Sequence, residues 1–320
     1  MLGLATFATL NPIIAECTKN SPQKNPLFQS TVWLFPQIWC YGSRGMKPTE
    51  LQALATELRV SIIDMITEAK SGHPGGSLSA IDLMTALWFA EMKGVPAGKP
   101  ATDRDHFVLS KGHAVPALYA ILAEKGYIAK DELKTLRRTG SRLQGHPDRV
   151  RMPIVEASTG SLGQGLSVAQ GMAMGLKLSG SKSRVFCLVG DGEIQEGQIW
   201  EAALSAPKFG LSNLCVILDN NGGQIDGPTD EVMSLKPIPE KWRAFNWEVL
   251  EINGHDFTQI LGAYQRAREL EAQGSKKPVF IIANTVKGKG VSFMENKIEW
   301  HGAAPKADDA KRAIEEVRRG

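Results

Sequence analysis

The sequence has little cysteine, little net charge and no long apolar run, and each shortage excludes a class of protein. The 4 cysteines in 320 residues show no metal-ligand spacing and no disulfide framework, which favours a reducing compartment. No uninterrupted apolar run reaches the roughly 18 to 20 residues of a membrane span. The net charge of +3 is interspersed, so no dense basic patch with interleaved aromatic residues predicts a nucleic-acid partner.

The composition is that of a globular protein with a sizeable core, at 42% hydrophobic and 22% charged residues. Apolar, strand-like runs alternate with amphipathic, helix-like segments, and no internal repeat interrupts them. This alternation predicts an α/β fold with a doubly wound parallel sheet flanked by helices. Among its elements we expect a helix at residues 49–72, a tight loop at 71–76 and a second helix at 79–92.

Residues 1–45 differ from the rest of the chain. They show no sustained period, and no basic residue precedes Lys19, so the basic start of a secretory signal is missing. We predict an atypical leader, disordered or not native, with Met46 as the natural start, and a single cofactor-binding domain over residues 46–320. The intact mass of the natively expressed protein tests this, and a mature chain that keeps residue 1 would contradict it.

A βαβ unit is the most informative part of the chain. Residues 185–189 and 214–218 are apolar runs bounded by turn residues, as buried parallel strands are. Between them, residues 197–209 place apolar side chains on one helical face. Both runs end in polar clusters, which neighbouring parallel strands would bring side by side: Gly190-Asp191-Gly192 and Asp219-Asn220-Asn221.

The two polar clusters suit a magnesium-bridged diphosphate. Asp191 offers a carboxylate oxygen, Asn221 an amide oxygen and Gly223 a main-chain carbonyl, which are ligands that Mg²⁺ prefers. Gly190 and Gly192 would let the backbone approach the phosphates. Either cluster alone is commonly a simple turn, but two at adjacent strand ends favour the diphosphate site.

The segments GDGEIQEGQIWEAA and NNGGQIDG resemble the thiamine diphosphate signature, and transketolase in particular. The resemblance extends over residues 49–310 and covers the amino-terminal, diphosphate-binding third of a full transketolase. It implies a thiamine diphosphate-binding fold with thiamine diphosphate and Mg²⁺ (or Ca²⁺ or Mn²⁺) as cofactors. The implied activity is transfer of a two-carbon ketol unit from a ketose to an aldose, both as sugar phosphates.

Four of the 6 histidines lie beside glycine in predicted loops, and the resemblance implies that all four are catalytic: His73, His113, His146 and His301. A lone histidine of this kind is commonly a surface or capping residue, but four in glycine-flanked turns indicate a ligand site. The resemblance implies that His73 and His146 contact the substrate, and that His113 and His301 contact both the diphosphate and the substrate. Imidazole serves as acid or base near neutral pH. His106 and His255 are assigned to structure.

Further cofactor contacts are implied by the resemblance. Gly160, Ser161 and Leu162 match the stretch that wraps the cofactor. Lys287 matches a lysine near the cofactor, and Glu196 matches a glutamate that links neighbouring cofactor sites. A solvated loop lysine and an ordinary first-turn helix acid are the alternatives for Lys287 and Glu196. The predicted cofactor-binding set is His113, Gly160, Ser161, Leu162, Asp191, Gly192, Glu196, Asn221, Gln224, Lys287 and His301.

The chain departs from the transketolase pattern in two respects. Gly223 stands where Leu or Ile is usual, which predicts a freer loop and the loss of an apolar side chain beside the cofactor. In the family, a following pyrimidine-binding domain brings a carboxylic acid and an aromatic bed to the aminopyrimidine, and we expect this domain to lie on a separate chain. We therefore predict the N-terminal subunit of a split transketolase, inactive without a C-terminal subunit that carries that domain.

The resemblance further implies a dimer of heterodimers, a cytoplasmic location and a role in carbohydrate metabolism of the pentose phosphate type. Two alternatives stay open. One is membership of another split thiamine diphosphate enzyme, of the 2-oxo acid dehydrogenase E1 or deoxyxylulose-phosphate synthase type, although the histidine set favours ketose chemistry. The other is a non-catalytic partner subunit. Intact Asp191, Asn221 and all four histidines argue against it, whereas the change at Gly223 keeps it open.

Overall fold

A computed structural model describes residues 46–94 and 101–320 of the chain. The predictions for residues 1–45 lie outside these ranges. The strands are β1 His106–Leu109, β2 Val185–Gly190, β3 Leu214–Asn220, β4 Gly223–Gln224, β5 Gly227–Pro228, β6 Glu248–Asn253 and β7 Val279–Asn284. In the described residues, 5 of them form a parallel sheet in the order β1-β2-β3-β7-β6, and β4 and β5 make a small antiparallel pair.

Helices cover both faces of this sheet. They are α1 Pro48–Ala69, α2 Pro74–Ala86, α3 Val115–Glu124, α4 Gln164–Leu178, α5 Gly197–Lys208, α6 Thr229–Met233, α7 Ile238–Ala244, α8 Phe257–Ala272 and α9 Ala307–Arg319. No helix within the described ranges is both long and apolar enough to cross a membrane.

Strand side chains alternate between two apolar layers. Leu188 and Cys215 point into the layer built with α1, α2, α3, α8 and α9, whereas Cys187 and Val216 point into the layer built with α4, α5 and α7. A strand that is buried on both faces has to be apolar at every position, which explains why these strands read as continuous runs. The predicted parallel sheet with helices on both faces is confirmed, and Cys187 and Cys215 are small residues buried in its core.

The second helix begins earlier than the sequence predicts. It starts at Pro74 rather than at residue 79, with His73 at its N-cap, because proline at the first helical position is preorganised for a helix start. The glycines that follow are needed for close packing rather than for a turn. A Cβ on Gly75 would lie 3.0 Å from the Trp300 carbonyl oxygen, and one on Gly76 would lie 3.1 Å from His113 Nε2.

Candidate active site

The polar clusters after β2 and β3 lie side by side, as predicted. Gly190, at the end of β2, is in register with Asp219, near the end of β3, so the turns that follow the two strands are neighbours. They border a cavity of 170 Å³. The predicted site residues that line it are His113, Leu162, Asp191, Gly192, Asn221, Gly223, Gln224, Lys287 and His301.

Asp191 carries a buried carboxyl group and is only 3% exposed. Its Oδ1 accepts a hydrogen bond from Gly192 N at 2.8 Å, and its Oδ2 accepts one from Gly222 N at 2.5 Å. Burial and then the negative charge of Asp219 raise the pKa of Asp191 to about 6, since both disfavour the ionised form. A divalent cation beside Asp191 would offset both effects, so this residue fits a metal ligand.

Asn221 and Gly223 supply neutral oxygens next to Asp191. The Asn221 amide nitrogen donates to Ser79 Oγ at 3.2 Å and to Asp219 Oδ2 at 3.4 Å. Because a carboxylate only accepts, this contact fixes the amide with Oδ1 on the opposite side, where Oδ1 accepts a hydrogen bond from Gly223 N at 3.1 Å. The Gly223 carbonyl accepts a hydrogen bond from Lys287 Nζ at 2.9 Å.

The donor set of Asp191, Asn221 and the Gly223 carbonyl is compatible with Mg²⁺. Among residues 46–94 and 101–320, no group of three or more His, Cys, Asp or Glu side chains could hold a metal ion. The predicted set does not need such a cluster, because an amide oxygen and a main-chain oxygen complete it and Mg²⁺ takes further oxygens from phosphate and water.

Gly223 lies in filled space rather than in a free loop. A Cβ on Gly223 would lie 2.7 Å from Ile298 Cδ1 and 3.1 Å from Lys287 Cδ. Ile298 therefore occupies the volume that leucine or isoleucine at position 223 would take. Hydrogen bonds of the Gly223 backbone also hold this turn. The predicted loss of an apolar side chain beside the cofactor stays a prediction.

Two buried lysines bring positive charge to the cavity. Lys287 is 1% exposed, and its Nζ lies 3.0 Å from His301 Nδ1. Burial and then the charge of Lys111 lower the pKa of Lys287 to about 8. The Nζ of Lys111 donates to Asp219 Oδ2 at 2.5 Å. Burial excludes the solvated alternative for Lys287, and both ammonium groups suit phosphate oxygens.

Sequence reasoning missed Lys111, Asp219 and Glu193. The buried Glu193 carboxylate accepts hydrogen bonds from Gly163 N at 2.9 Å and Gly190 N at 3.0 Å and contacts the Ser110 hydroxyl. It thereby joins the LSKGHA, TGSLGQ and GDG turns. Their positions in the sequence could have revealed them. Each missed residue lies at or just after the end of a buried apolar strand, where a charged side chain needs partners.

Four further residues of the predicted cofactor-binding set lie in or near the cavity turns. Leu162 and Gln224 line the cavity. A Cβ on Gly192 would lie 2.9 Å from Gln224 Cβ, so only glycine fits there. Gly160 has a φ of +145°, and a Cβ on it would lie 3.1 Å from the His146 ring, so glycine lets this turn pass beneath the imidazole.

Ser161 and Glu196 are exposed, and neither lines the cavity. Glu196 occupies the N-cap of α5 without a side-chain capping bond. The structure therefore does not bring these two residues to the cavity.

The four predicted catalytic histidines form one cluster. His73 lies centrally, with ring centroids 5.4 Å from His113, 6.1 Å from His146 and 5.5 Å from His301. The rings of His113 and His301 stack at 5.1 Å. Because His113 and His301 also line the cavity, the cluster extends from the cavity to His73 and His146.

These imidazoles are uncharged at neutral pH. Burial and then the positive charge of Arg137 lower the pKa of His73 to about 4 and also lower the pKa of His146. Burial and then Lys287 lower the pKa of His301 to about 3, and burial and then Lys111 hold the pKa of His113 well below its usual value. Neutral imidazole both accepts and donates a hydrogen bond, so the cluster suits hydroxyl and carbonyl groups.

His106 and His255 are tied into the fold, as predicted. His106 Nδ1 lies 3.1 Å from a carboxylate oxygen of Glu156. His255 Nδ1 lies 2.8 Å from Asp82 Oδ2, and its Nε2 accepts a hydrogen bond from Val286 N at 2.9 Å. The Asp82 carboxylate also pairs with Arg59, so His255 belongs to a buried network beneath the segment that carries Lys287.

A family model described as the transketolase thiamine diphosphate binding domain matches residues 51–317. The chain belongs to the transketolase family. It is 42% identical over 272 residues to an apulose-4-phosphate transketolase subunit of Phocaeicola vulgatus, an alignment that covers 85% of this chain and 95% of that relative. It is 43% identical over 270 residues to the 6-deoxy-6-sulfo-D-fructose transketolase subunit SqwG of a Clostridium species, with 84% and 97% covered.

The fold matches solved transketolases. The crystal structure of transketolase from Campylobacter jejuni superimposes with a TM-score of 0.79 at 33% identity, covering 85% of this chain and 43% of that one. This chain therefore spans less than half of that transketolase but nearly all of the two subunits named above. It is an N-terminal, thiamine diphosphate-binding subunit of a ketol-transferring enzyme, and the predicted family, fold and activity class are confirmed.

Proposed function

We propose that this subunit holds thiamine diphosphate through a divalent cation on Asp191, Asn221 and the Gly223 carbonyl. The proposal rests on one observation: a buried carboxylate and two neutral oxygens meet in the same cavity as the ammonium groups of Lys111 and Lys287. Oxygens for a metal ion and cations for phosphate are what a metal diphosphate needs. Magnesium is the ion that best matches this oxygen set.

The substrates are proposed to be a ketose phosphate and an aldose phosphate. The bound thiazolium supplies the electron sink for cleavage of the ketose C2–C3 bond. The chain contributes His73, His113, His146 and His301: one neutral ring of this set accepts the proton of the C3 hydroxyl, and the others orient hydroxyl and carbonyl oxygens by hydrogen bonds. The two relatives are named for an apulose phosphate and a sulfonated fructose, which supports a sugar substrate with an anionic group.

A C-terminal subunit with a pyrimidine-binding domain is the proposed partner. Two relatives of matching length are named as transketolase subunits, which supports a second chain. Glu196 is exposed at the start of α5, which supports a role for it at an interface with a second copy. We propose a dimer of heterodimers, located in the cytoplasm. Ser161 and the cavity edge would be covered in that assembly.

The test uses the full chain by itself and together with the C-terminal subunit. The lone chain should bind thiamine diphosphate weakly and transfer no ketol group, whereas the pair should transfer it. Asp191→Ala should abolish magnesium-dependent cofactor binding, measured by titration calorimetry, and lower transfer by at least about 10²-fold. Asp226→Ala, at an exposed carboxylate of the β4–β5 turn, is the matched control and should change neither.

Two outcomes would overturn the proposal. Measurable ketol transfer by the lone chain would contradict the need for a partner. Unchanged activity of the Asp191→Ala pair would show that the metal diphosphate site is not used, as expected of a non-catalytic subunit.

A further inference from the structure

Arg137 connects two Gly-His-Pro turns that are far apart in the sequence. Its Nη1 donates to Ser71 Oγ at 3.1 Å, and its Nη2 donates to His73 Nδ1 at 3.3 Å and to the Gly145 carbonyl at 3.4 Å. The guanidinium is therefore placed between the turn that carries His73 and the turn that carries His146. No sequence motif singled it out.

The placement of Arg137 is unfavourable for the backbone and for one of its nitrogens. Its φ is +58°, a left-handed conformation that few residues other than glycine adopt. Its Nε is buried without a hydrogen-bond partner among the described residues, which costs free energy. The guanidinium packs directly on Gly145, where a Cβ would lie 2.7 Å from Cζ. Strain of this kind, next to a histidine cluster, is typical of a functional constraint.

The contact with Arg137 determines which nitrogen of His73 carries the proton. Arginine has only donors, so His73 Nδ1 must accept and Nε2 must carry the hydrogen. The Nε2 side of the ring faces the turn after His301: it lies 3.6 Å from the place that a Cβ on Gly302 would take. His73 therefore presents an N–H donor toward the other histidines of the cluster.

We propose that Arg137 is a positioning residue that fixes His73 as the Nε2–H tautomer and so gives the ketose substrate a hydrogen-bond donor. The tautomer is a property of this chain alone, and only the identity of the acceptor rests on the proposed function. The geometry also explains why a lysine would not serve equally, because its single ammonium group cannot fork to Ser71, His73 and Gly145 as the planar guanidinium does.

The charges that face His73 keep it neutral, which is what makes the choice of tautomer matter. The groups are the guanidinium of Arg137, the ammonium groups of Lys287 and Lys111 and the ring of His146, with the rings of His113 and His301 in contact. After burial, Arg137 is the largest of the influences that lower the pKa of His73 to about 4. Loss of Arg137 should therefore release both the tautomer and the titration of His73.

Imidazole NMR of the full ¹⁵N-labelled chain tests the proposal, with the His73 signals assigned from a His73→Gln variant. The wild type should show His73 as Nε2–H. Arg137→Met should populate the Nδ1–H form and shift the titration midpoint upward from about 4. Arg138→Met is the matched control, because Arg138 is exposed and pairs with Glu68 at the surface; it should leave His73 unchanged. A wild-type His73 in the Nδ1–H form would overturn the proposal.

A second variant covers the case in which Arg137→Met does not fold. Gly145→Ala keeps the arginine but places a methyl group where the guanidinium lies, so it should change the His73 signals in the same direction and by less. Wild-type His73 signals in either folded variant would contradict the proposal.

In the pair reconstituted with the C-terminal subunit, Arg137→Met should lower kcat/KM for the ketose by about tenfold, the effect of one hydrogen bond. A wild-type pair without any transfer would defeat the proposed function and leave the NMR result standing. Unchanged kcat/KM in a pair whose His73 tautomer had shifted would show that the donor is not used.

Discussion

The 6 histidines of the chain fall into two groups that differ in what faces the ring. His106 and His255 face the carboxylates of Glu156 and Asp82. The four histidines of the cluster face one another and the cationic groups of Arg137, Lys111 and Lys287. The same side chain therefore has two uses in one fold, and its neighbours decide which.

A carboxylate ties an imidazole into the fold, whereas a cationic environment keeps it neutral and leaves ring nitrogens available. His255 uses both nitrogens, one with Asp82 and one with Val286. Cluster rings such as His113 instead border the cavity. Stability and chemistry should thus respond to different substitutions, and the following experiments test that separation.

The largest effect is expected from His113→Gln in the pair with the C-terminal subunit. It removes a ring that lines the cavity, so ketol transfer should fall by about 10²- to 10⁴-fold, the usual contribution of an acid–base group. His106→Gln, which loses the Glu156 contact, should lower the urea midpoint and leave the activity of folded enzyme near that of the wild type. Equal activity losses in both variants would contradict the division of the histidines into a catalytic and a structural group.

Asp82→Ala should destabilise the lone chain by about 3 to 5 kcal/mol, because it leaves the buried Arg59 without its ion pair. Arg59 is 4% exposed, and it binds Asp82 through contacts of 2.8 and 2.7 Å. The free energy of unfolding in urea measures this loss. Asp308→Ala, at a side chain 97% exposed, should leave it unchanged. An Asp82 variant as stable as this control would show that the carboxylate-faced histidine is not part of a structural network.

Gly223→Leu tests how tightly the residues around Gly223, beside Lys287, are packed. The added side chain meets Ile298 Cδ1, only 2.7 Å from the Cβ position, and overpacking of this kind costs about 1 to 3 kcal/mol. Combining it with Ile298→Ala should recover part of the loss, as measured by a double-mutant cycle in urea. Strictly additive losses would mean that Ile298 does not fill that space.

The smallest effect is a pH dependence of stability. His73 and His301 have folded pKa values of about 4 and about 3, below the ordinary 6.5. Between those values and 6.5 the unfolded chain binds more protons, so their contribution to the free energy of unfolding falls as the pH falls through that window. Asp191, with its raised pKa, acts in the opposite direction. We therefore compare the free energy of unfolding in urea of His73→Gln and wild type at pH 7 and at pH 5. From pH 7 to pH 5 this free energy should fall less in the variant than in the wild type. An equal fall would refute the lowered pKa of His73.

The sequence predicted the backbone of the site better than its charged interior. The runs at 185–189 and 214–218 became β2 and β3 with ends shifted by only a residue or two, because doubly buried strands are continuous apolar runs. Adjacent strands then bring Asp191 and Asn221 together. That step needs no knowledge of side-chain contacts, which is why it succeeded.

The missed residues depend on partners from distant elements. Lys111 follows β1 and pairs with Asp219 in β3, on the other side of β2. Each residue alone resembles an ordinary polar residue at the end of a strand. Arg137 was overlooked because its role depends on a left-handed backbone conformation that no local pattern announces. Ile298 takes the place of a side chain missing at position 223, and such an exchange of volume appears only in three dimensions.

The first turn of α2 has one further consequence. Gly75 and Gly76 bring the helix backbone against the Trp300 carbonyl and the His113 ring, and these belong to the two segments whose imidazoles stack. A side chain at either glycine would push against one of these two segments, so the spacing of the stacked imidazoles depends on the absence of a Cβ at positions 75 and 76. Redesign of the cavity should therefore leave Gly75 and Gly76 unchanged.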